Sequence, residues 1–196
     1  MSDKISFSEA MKKALHLGGT LFAVTAVTGL LLGIVQDFTS AAIMKAEQAA
    51  RNEAFKAVMP DADNFEAVNV AQDEVISDIQ KGTGKSGLAG WCISVNTKGY
   101  GGLVSFIVGI TKDGNVKAIS ILNHSETPGL GAKSTEPEFY TQFNDKDKLP
   151  LKVVKGAANA SDEISAISGA TITSNAIVSG VNYAHDYWSK NLKGAE

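Results

Sequence analysis

The sequence predicts an α+β protein: a single N-terminal transmembrane helix, then a domain in which an antiparallel sheet is flanked by helices. Three observations carry this. Residues Ala14 to Val35 contain no Asp, Glu, Lys or Arg. Between Leu88 and Leu122, apolar runs are separated by a glycine turn and an Asp-Gly turn, the pattern of a meander. Ile172, Ala176, Ile177, Val181, Ala184 and Trp188 recur at helical spacing near the end of the chain.

The charge-free run is about twenty-two residues, enough at about 1.5 Å per residue to cross a hydrocarbon core about 30 Å thick. His16 sits in its first turn, where a polar ring suits the interface. Gly29 and Gly33 form a small-x-x-x-small pair of the kind that lets another helix approach. A cleaved signal peptide is the rival reading. The run is long for one, Asp37-Phe38-Thr39 offers no small-x-small site, and Ser40-Ala41-Ala42 is a weak one. A retained anchor in the lipid bilayer is therefore expected. Lys4, Lys12 and Lys13 precede the span and Asp37 follows it, which predicts a cytoplasmic N-terminus and an extracytoplasmic remainder. The expected location is the cell (inner) membrane, single-pass.

Residues 41–58 read as a separate amphipathic helix, Ala-rich with Ile43, Met44, Phe55 and Val58, stopped by Pro60. Residues 65–80 alternate loosely and suggest one or two short strands. Lys81–Gly87 reads as a flexible glycine-rich stretch, and it lacks the spacing of a P-loop. Leu88–Val95 is a strand, Gly99-Tyr100-Gly101-Gly102 a tight turn, and Leu103–Ile110 a strongly apolar strand. Lys112–Asn115 is a hairpin turn. Val116–Leu122 returns with Val116, Ala118, Ser120 and Leu122 assigned to one face. Residues 123–133 form a loop fixed by Pro128, Gly129 and Gly131. Residues 134–144 suggest a short helix capped by Ser134, and Leu151–Val154 a strand.

The net charge of −3 gives no sign of a nucleic-acid partner. Cys92 stands alone in an apolar run, which points to a buried, inert thiol; a cluster shared with another chain is the alternative. No spacing for zinc, haem or an iron–sulfur cluster appears within the chain.

Ser168-Gly169-Ala170-Thr171-Ile172-Thr173-Ser174 places four hydroxyls and a glycine where the last helix begins. On these residues alone an N-cap is the simplest reading, with an anion site at the helix N-terminus as the alternative. Two further motifs precede it: the Gly99–Gly102 turn and His124-x-Glu126-Thr127-Pro128-Gly129-Leu130-Gly131. The ordered set, after one N-terminal span, resembles the covalent-FMN-binding domain family. That family includes the G subunit of the Rnf complex, an ion-translocating ferredoxin:NAD oxidoreductase, and the C subunit of the sodium-translocating NADH:quinone oxidoreductase. The similarity covers essentially the whole chain. Its compact length and the His-x-Glu-Thr-Pro-Gly-Leu-Gly loop are more similar to the former.

The resemblance implies an FMN-binding core over 88–196, after a cytoplasmic N-terminus (1–13), a transmembrane helix (14–36) and a connecting region (37–87). It implies FMN held covalently through a phosphoester on Thr171, made by a flavin transferase, with Ser168, Gly169, Ala170 and Thr173 around the phosphate. Ser168 would cap or contact the phosphate, and Thr173 and Ser174 would add hydroxyl donors. Glu126, Thr127, Gly129, Leu130 and Gly131 would lie against the flavin, with Leu130 packed on the ring. Tyr100 either stacks on the flavin or serves its turn, and Lys133 either contacts the flavin or is solvated. The family often has an acid three residues before the first Ser of the motif; here that position is Ser165. His124 and Glu126 form an acid–base pair or position the loop, and His185 reads as a surface or packing residue.

The function implied is electron relay within a membrane redox complex, not stand-alone catalysis, with the other members of that complex as partners. An anchored assembly module, whose motif is only a helix cap, is the alternative from another class. A hydrolase using Ser168 or Thr171 as nucleophile lacks an adjacent base.

Overall fold

The computed structural model describes residues 7–68, 73–85 and 87–194. Residues 1–6 of the expected N-terminal tail, 69–72 of the leading strands, Ser86 of the glycine-rich stretch and the last two residues lie outside these. The chain divides into two compact units, Met1–Ala49 and Ala50–Glu196.

Helix α1 runs from Phe7 to Val58 without a break. The span and the amphipathic helix expected separately are one element. Nothing between Asp37 and Ala50 stops a helix: the stretch has no Pro or Gly, and Ala42, Ala46, Ala49 and Ala50 favour continuation. It ends where Pro60 disfavours helical backbone at Met59. In the first unit, α1 is by length and composition apolar enough to cross a membrane, and its apolar stretch is not buried among the described residues. Leu21, Phe22, Leu30, Leu32 and Val35 are all exposed. Its threonines satisfy their own hydroxyls: Thr25 and Thr28 donate to the carbonyls of Leu21 and Val24 at 3.0 and 2.7 Å. Such back-bonding is what a hydroxyl needs where water is absent.

The second unit is built on a five-stranded antiparallel meander in chain order. Its strands are β1 (Asn64–Ala67), β2 (Ile76–Gly84), β3 (Gly87–Lys98), β4 (Leu103–Thr111) and β5 (Val116–His124). The stretch expected to be flexible, Lys81–Gly87, instead ends β2 and opens β3. Two of its glycines are needed for close packing: a Cβ at Gly82 would sit 3.1 Å from Ala62 Cβ, and one at Gly84 would strike the Asp61 carbonyl. Two short strands, β6 (Lys152–Val154) and β7 (Glu163–Ser165), pair in parallel. Strand β7 lies inside what reads as polar loop sequence.

Strand β5 differs from its expected facing. Gly109 pairs with Ala118 but Ile110 with Val116, so Lys117 is bulged out of the ladder. A bulge inverts the alternation beyond it. Val116, Ile119 and Ile121 therefore share the main core, while Ala118 joins the opposite face and Leu122 is exposed.

Both faces of the sheet are covered. Helix α3 (Thr171–Asn191) packs on one, against Trp91, Ile93, Val95, Phe106 and Val108, through Ile177, Val181, Ala184 and Trp188. Gly180 allows the approach, since a Cβ there would meet Phe106 and Thr97 at 2.7 Å. On the other face the last turns of α1 (Ala54, Phe55, Val58) cover Cys92 and Ile107. Cys92 is fully buried, and burial pushes its thiol up to about 12, as an inert thiol requires.

Between β5 and β6 the expected helix over 134–144 is three short pieces: a 3₁₀ turn (Gly131–Thr135), α2 (Pro137–Tyr140) and a second 3₁₀ turn (Thr141–Phe143). Ser134 is no cap. It is buried inside the first turn with no hydroxyl partner among the described residues, and Glu136 precedes α2. Pro137 at the first helical position and the buried Phe139–Phe143 pair explain where this segment starts and why it packs.

Candidate functional site

The three motifs meet. The Gly99–Gly102 turn joins β3 to β4 and closes on a 2.8 Å bond from Gly99 N–H to the Gly102 carbonyl. The loop after β5 and the first turn of α3 lie beside it, and Glu126 links all three. One carboxylate oxygen, Oε1, accepts the Gly101 N–H at 2.9 Å. The other, Oε2, accepts the Thr173 hydroxyl at 2.6 Å. Glu126 is 6% exposed and Thr173 fully buried. A buried carboxylate needs such donors.

Glycine is required around this carboxylate. A Cβ at Gly131 would fall 2.7 Å from Thr173 Oγ1 and closer still to Glu126 Oε2; one at Gly99 would press on Oε1. At Gly101 it would strike the Ser125 carbonyl. Upstream, the Glu126 N–H donates to His124 Nδ1 at 3.3 Å, so His124 holds the loop backbone and does not pair with the carboxylate.

The start of α3 is braced by Ser174, not Ser168. The Ser174 hydroxyl donates to the Ala170 carbonyl and accepts the Ile167 N–H, both at 3.0 Å. The residue at the N-cap position is Ala170, and no side chain caps the helix. Ser168 is exposed and makes no such bond, which corrects its assignment as the cap. Thr173 and Ser174, expected to offer hydroxyls to a phosphate, are instead fully buried and bonded within the protein.

Thr171 is different. It is the first residue of α3, half-buried, and its hydroxyl has no protein partner among the described residues. The backbone N–H groups of a first turn, uncapped by any side chain, point toward the space outside it. Exposed apolar groups surround this end of the domain: Ile172 (56%), Leu130 (42%) and Tyr100 (71%). Ile172, counted on the helix's apolar face, points outward instead. Leu130 lies over Gly169, whose absent Cβ would sit 3.0 Å from Leu130 Cδ2 and whose φ is +76°. Thr127 and Gly129 are exposed on the same loop, and Lys133 is exposed on the 3₁₀ turn that follows it. The residues present therefore suit a ligand with one anionic end and one flat apolar end.

Residues 99–186 match the model of the FMN-binding domain. The chain is 35% identical over 172 residues to the G subunit of the proton-translocating ferredoxin:NAD(+) oxidoreductase complex of Clostridium ljungdahlii, covering 84% of this chain and 90% of that one. The chain belongs to the FMN-binding domain family. The family match begins at the Gly99 turn and contains Glu126, Gly131 and the whole Ser168–Ser174 motif. A second relative, the C subunit of the Na(+)-translocating NADH-quinone reductase of Vibrio anguillarum, is also 35% identical, but over only 49% of this chain and 40% of its own. The crystal structure of the corresponding protein from Parabacteroides distasonis has a TM-score of 0.54, covers 66% of this chain and 77% of that one at 21% identity, and shows the same fold.

The resemblance makes Glu126 a flavin contact, and its structural role is not legible in the sequence. Its partners lie 25 and 47 residues away. The signal that points to it is the glycine pair Gly99/Gly131, which only a close neighbour explains. His185 packs on Trp188 at 5.7 Å with its pKa lowered by burial, partly opposed by its bond to the Gly114 backbone.

Proposed function

We propose that this chain is the membrane-anchored flavoprotein of an Rnf-type ion-translocating ferredoxin:NAD oxidoreductase, carrying FMN as a phosphoester on Thr171 Oγ1 and relaying electrons between its neighbours in the complex. The observation that supports the linkage is the sorting of hydroxyls in one helical turn. Thr173 and Ser174 are consumed by the fold, while Thr171 has no partner among the described residues and stands at the uncapped N-terminus of a 21-residue helix. That terminus favours a phosphate. Leu130, Ile172 and Tyr100 offer the apolar surface an isoalloxazine needs. When bound, FMN supplies one- and two-electron redox chemistry; the protein fixes its place and surroundings.

Attachment requires a leaving group on the flavin phosphorus, because a phosphate monoester is a poor electrophile. A pyrophosphate donor such as FAD meets this need: the Thr171 oxygen displaces AMP and loses its proton. A flavin transferase would bring the donor to the half-exposed hydroxyl. The charge asymmetry of the anchor's flanks favours a domain outside the cytoplasm, and a cofactor lost there is hard to replace, which favours a covalent bond. The near-complete coverage of the Clostridium relative favours an Rnf-type complex over a quinone reductase, whose matching protein aligns with half the chain.

The test is the intact mass of the full-length chain produced with a flavin transferase. The expected gain is FMN less one water, absent in Thr171→Ala and retained in Ser168→Ala. An unmodified mass for the wild-type chain from its native membrane refutes the linkage. Loss in Ser168→Ala with retention in Thr171→Ala moves it to the other free hydroxyl.

A further inference from the structure

We propose that Glu126 is a positioning residue, which turns Thr171 outward by holding Thr173 inward and does not itself contact the cofactor. The inference deepens the functional reading above and rests on it. Residues two apart on a helix point roughly 200° apart around its axis, so they cannot both face the core. Glu126 Oε2 holds Thr173 Oγ1 at 2.6 Å in a fully buried position. Thr171 must then face away from that core, and it is half-exposed. Oε1 anchors the same carboxylate to the Gly101 N–H at 2.9 Å, which ties the helix to the β3–β4 turn. The His124 ring fixes the Glu126 backbone. Gly131 and Gly99 close around the carboxylate with no room for a side chain. A charge-assisted bond of this kind is stronger and more directional than a neutral one. A carboxylate brought to the FMN phosphate would instead repel it. Each observation favours a pin between the motifs over a ligand for the flavin.

Four variants of the full-length chain in detergent test this: three single substitutions and the double Thr173→Val/Glu126→Ala. Thr173→Val removes the hydroxyl at constant shape. Glu126→Gln keeps shape and both bonding positions without the charge, because its amide oxygen accepts from Gly101 and its amide donates to Thr173 Oγ1. Glu126→Ala removes the pin. Two readouts are taken: amide exchange at Gly101 and Ser174 in the unflavinylated chain, and the rate of FMN attachment by the transferase as FAD is varied. Thr173→Val and Glu126→Ala are each expected to lose about tenfold in exchange protection at Ser174, and Glu126→Ala also at Gly101. Each is expected to lose about tenfold in attachment rate at saturating FAD with the half-saturating FAD concentration unchanged. The double variant is no worse than the worse single, and Glu126→Gln recovers most of the rate. Additive losses, a Gln variant as slow as Ala, or a normal attachment rate in folded Glu126→Ala overturns the proposal. If the wild-type chain takes no FMN, the functional reading fails, and the exchange measurements still decide whether Glu126 holds the turn.

Discussion

Gly131→Ala tests the packing around Glu126 most directly. The added methyl would lie 2.7 Å from Thr173 Oγ1, 2.9 Å from Glu126 Cβ and inside contact with Oε2. None of these atoms is the free end of a mobile side chain, since both residues are buried and bonded to each other. Overpacking costs about 1–3 kcal/mol. Displacing a hydrogen bond to a charged group adds about 1.5–3 kcal/mol. The reduced freedom of the unfolded chain returns about 0.4–1 kcal/mol. The net is a loss of about 2–5 kcal/mol. Gly129 is the control. Its φ is +76° but nothing lies within 4 Å of its missing Cβ, so Gly129→Ala carries only the left-handed penalty of about 1–2 kcal/mol. The assay is denaturant unfolding of the full-length chain in detergent, followed by tryptophan fluorescence. Both tryptophans, Trp91 and Trp188, are buried in the second unit and report on it. In a Glu126→Ala background the Gly131→Ala penalty shrinks, because the obstructing carboxylate is gone. A Gly131→Ala chain as stable as wild type, or a larger penalty at Gly129, refutes the reasoning.

Three other outcomes follow from the same structure. His185 has a folded pKa below its ordinary value, chiefly through burial, so the unfolded chain binds its proton more readily. Its stabilising contribution is complete above the unfolded pKa of about 6.5 and is lost as pH falls through the folded value; His185→Gln flattens that part of a Tm-against-pH profile. Cys92, with its thiol near 12 and no exposure, resists maleimide at pH 8 in the native chain and reacts on unfolding; fast native labelling contradicts the packing of α1 on the sheet. Gly114→Ala combines a φ of +92° with a clash 2.6 Å from Trp188 Cη2, and is expected to lower the unfolding midpoint and shift tryptophan emission.

What the sequence reveals is what repeats locally. The charge-free run, the Asp-Gly hairpin and the spacing of Ile177, Val181, Ala184 and Trp188 each announce an element within a few residues. Contacts set by the third dimension escape it. The bulge at Lys117 reverses the facing of β5, and no residue type in Val116–Leu122 marks it. Strand β7 is three residues long and is held by Gln142, whose side chain accepts the Ser165 N–H at 2.7 Å from another element. The join between the membrane span and the following helix escapes for the opposite reason. The polar residues after Val35 suggest a boundary, yet polar residues do not stop a helix when Ala supplies the propensity.

The hydroxyls of the α3 motif show how a site can be read once their partners are known. By residue type alone, Ser168, Thr171, Thr173 and Ser174 are all candidates for capping or attachment, and only the family resemblance singles out Thr171. The fold separates them by what each already bonds. Ser174 closes the turn against Ile167 and Ala170, so Ser174→Ala leaves the Ile167 N–H without its acceptor, at a cost of about 1–3 kcal/mol. Thr173 belongs to Glu126. Of the four, only Ser168 and Thr171 keep hydroxyls free of partners among the described residues, and they differ in support: Thr171 starts the helix, while Ser168 lies three residues before it in an exposed turn. Thr171→Ser therefore distinguishes a chemical role from a packing one. It retains the oxygen and loses a half-exposed methyl, so covalent FMN should persist in the Ser variant and vanish in Thr171→Val, whose shape is the closer match. Retention of FMN on the same residues in Thr171→Val excludes the Thr171 oxygen as the acceptor, however well the rest of the site fits.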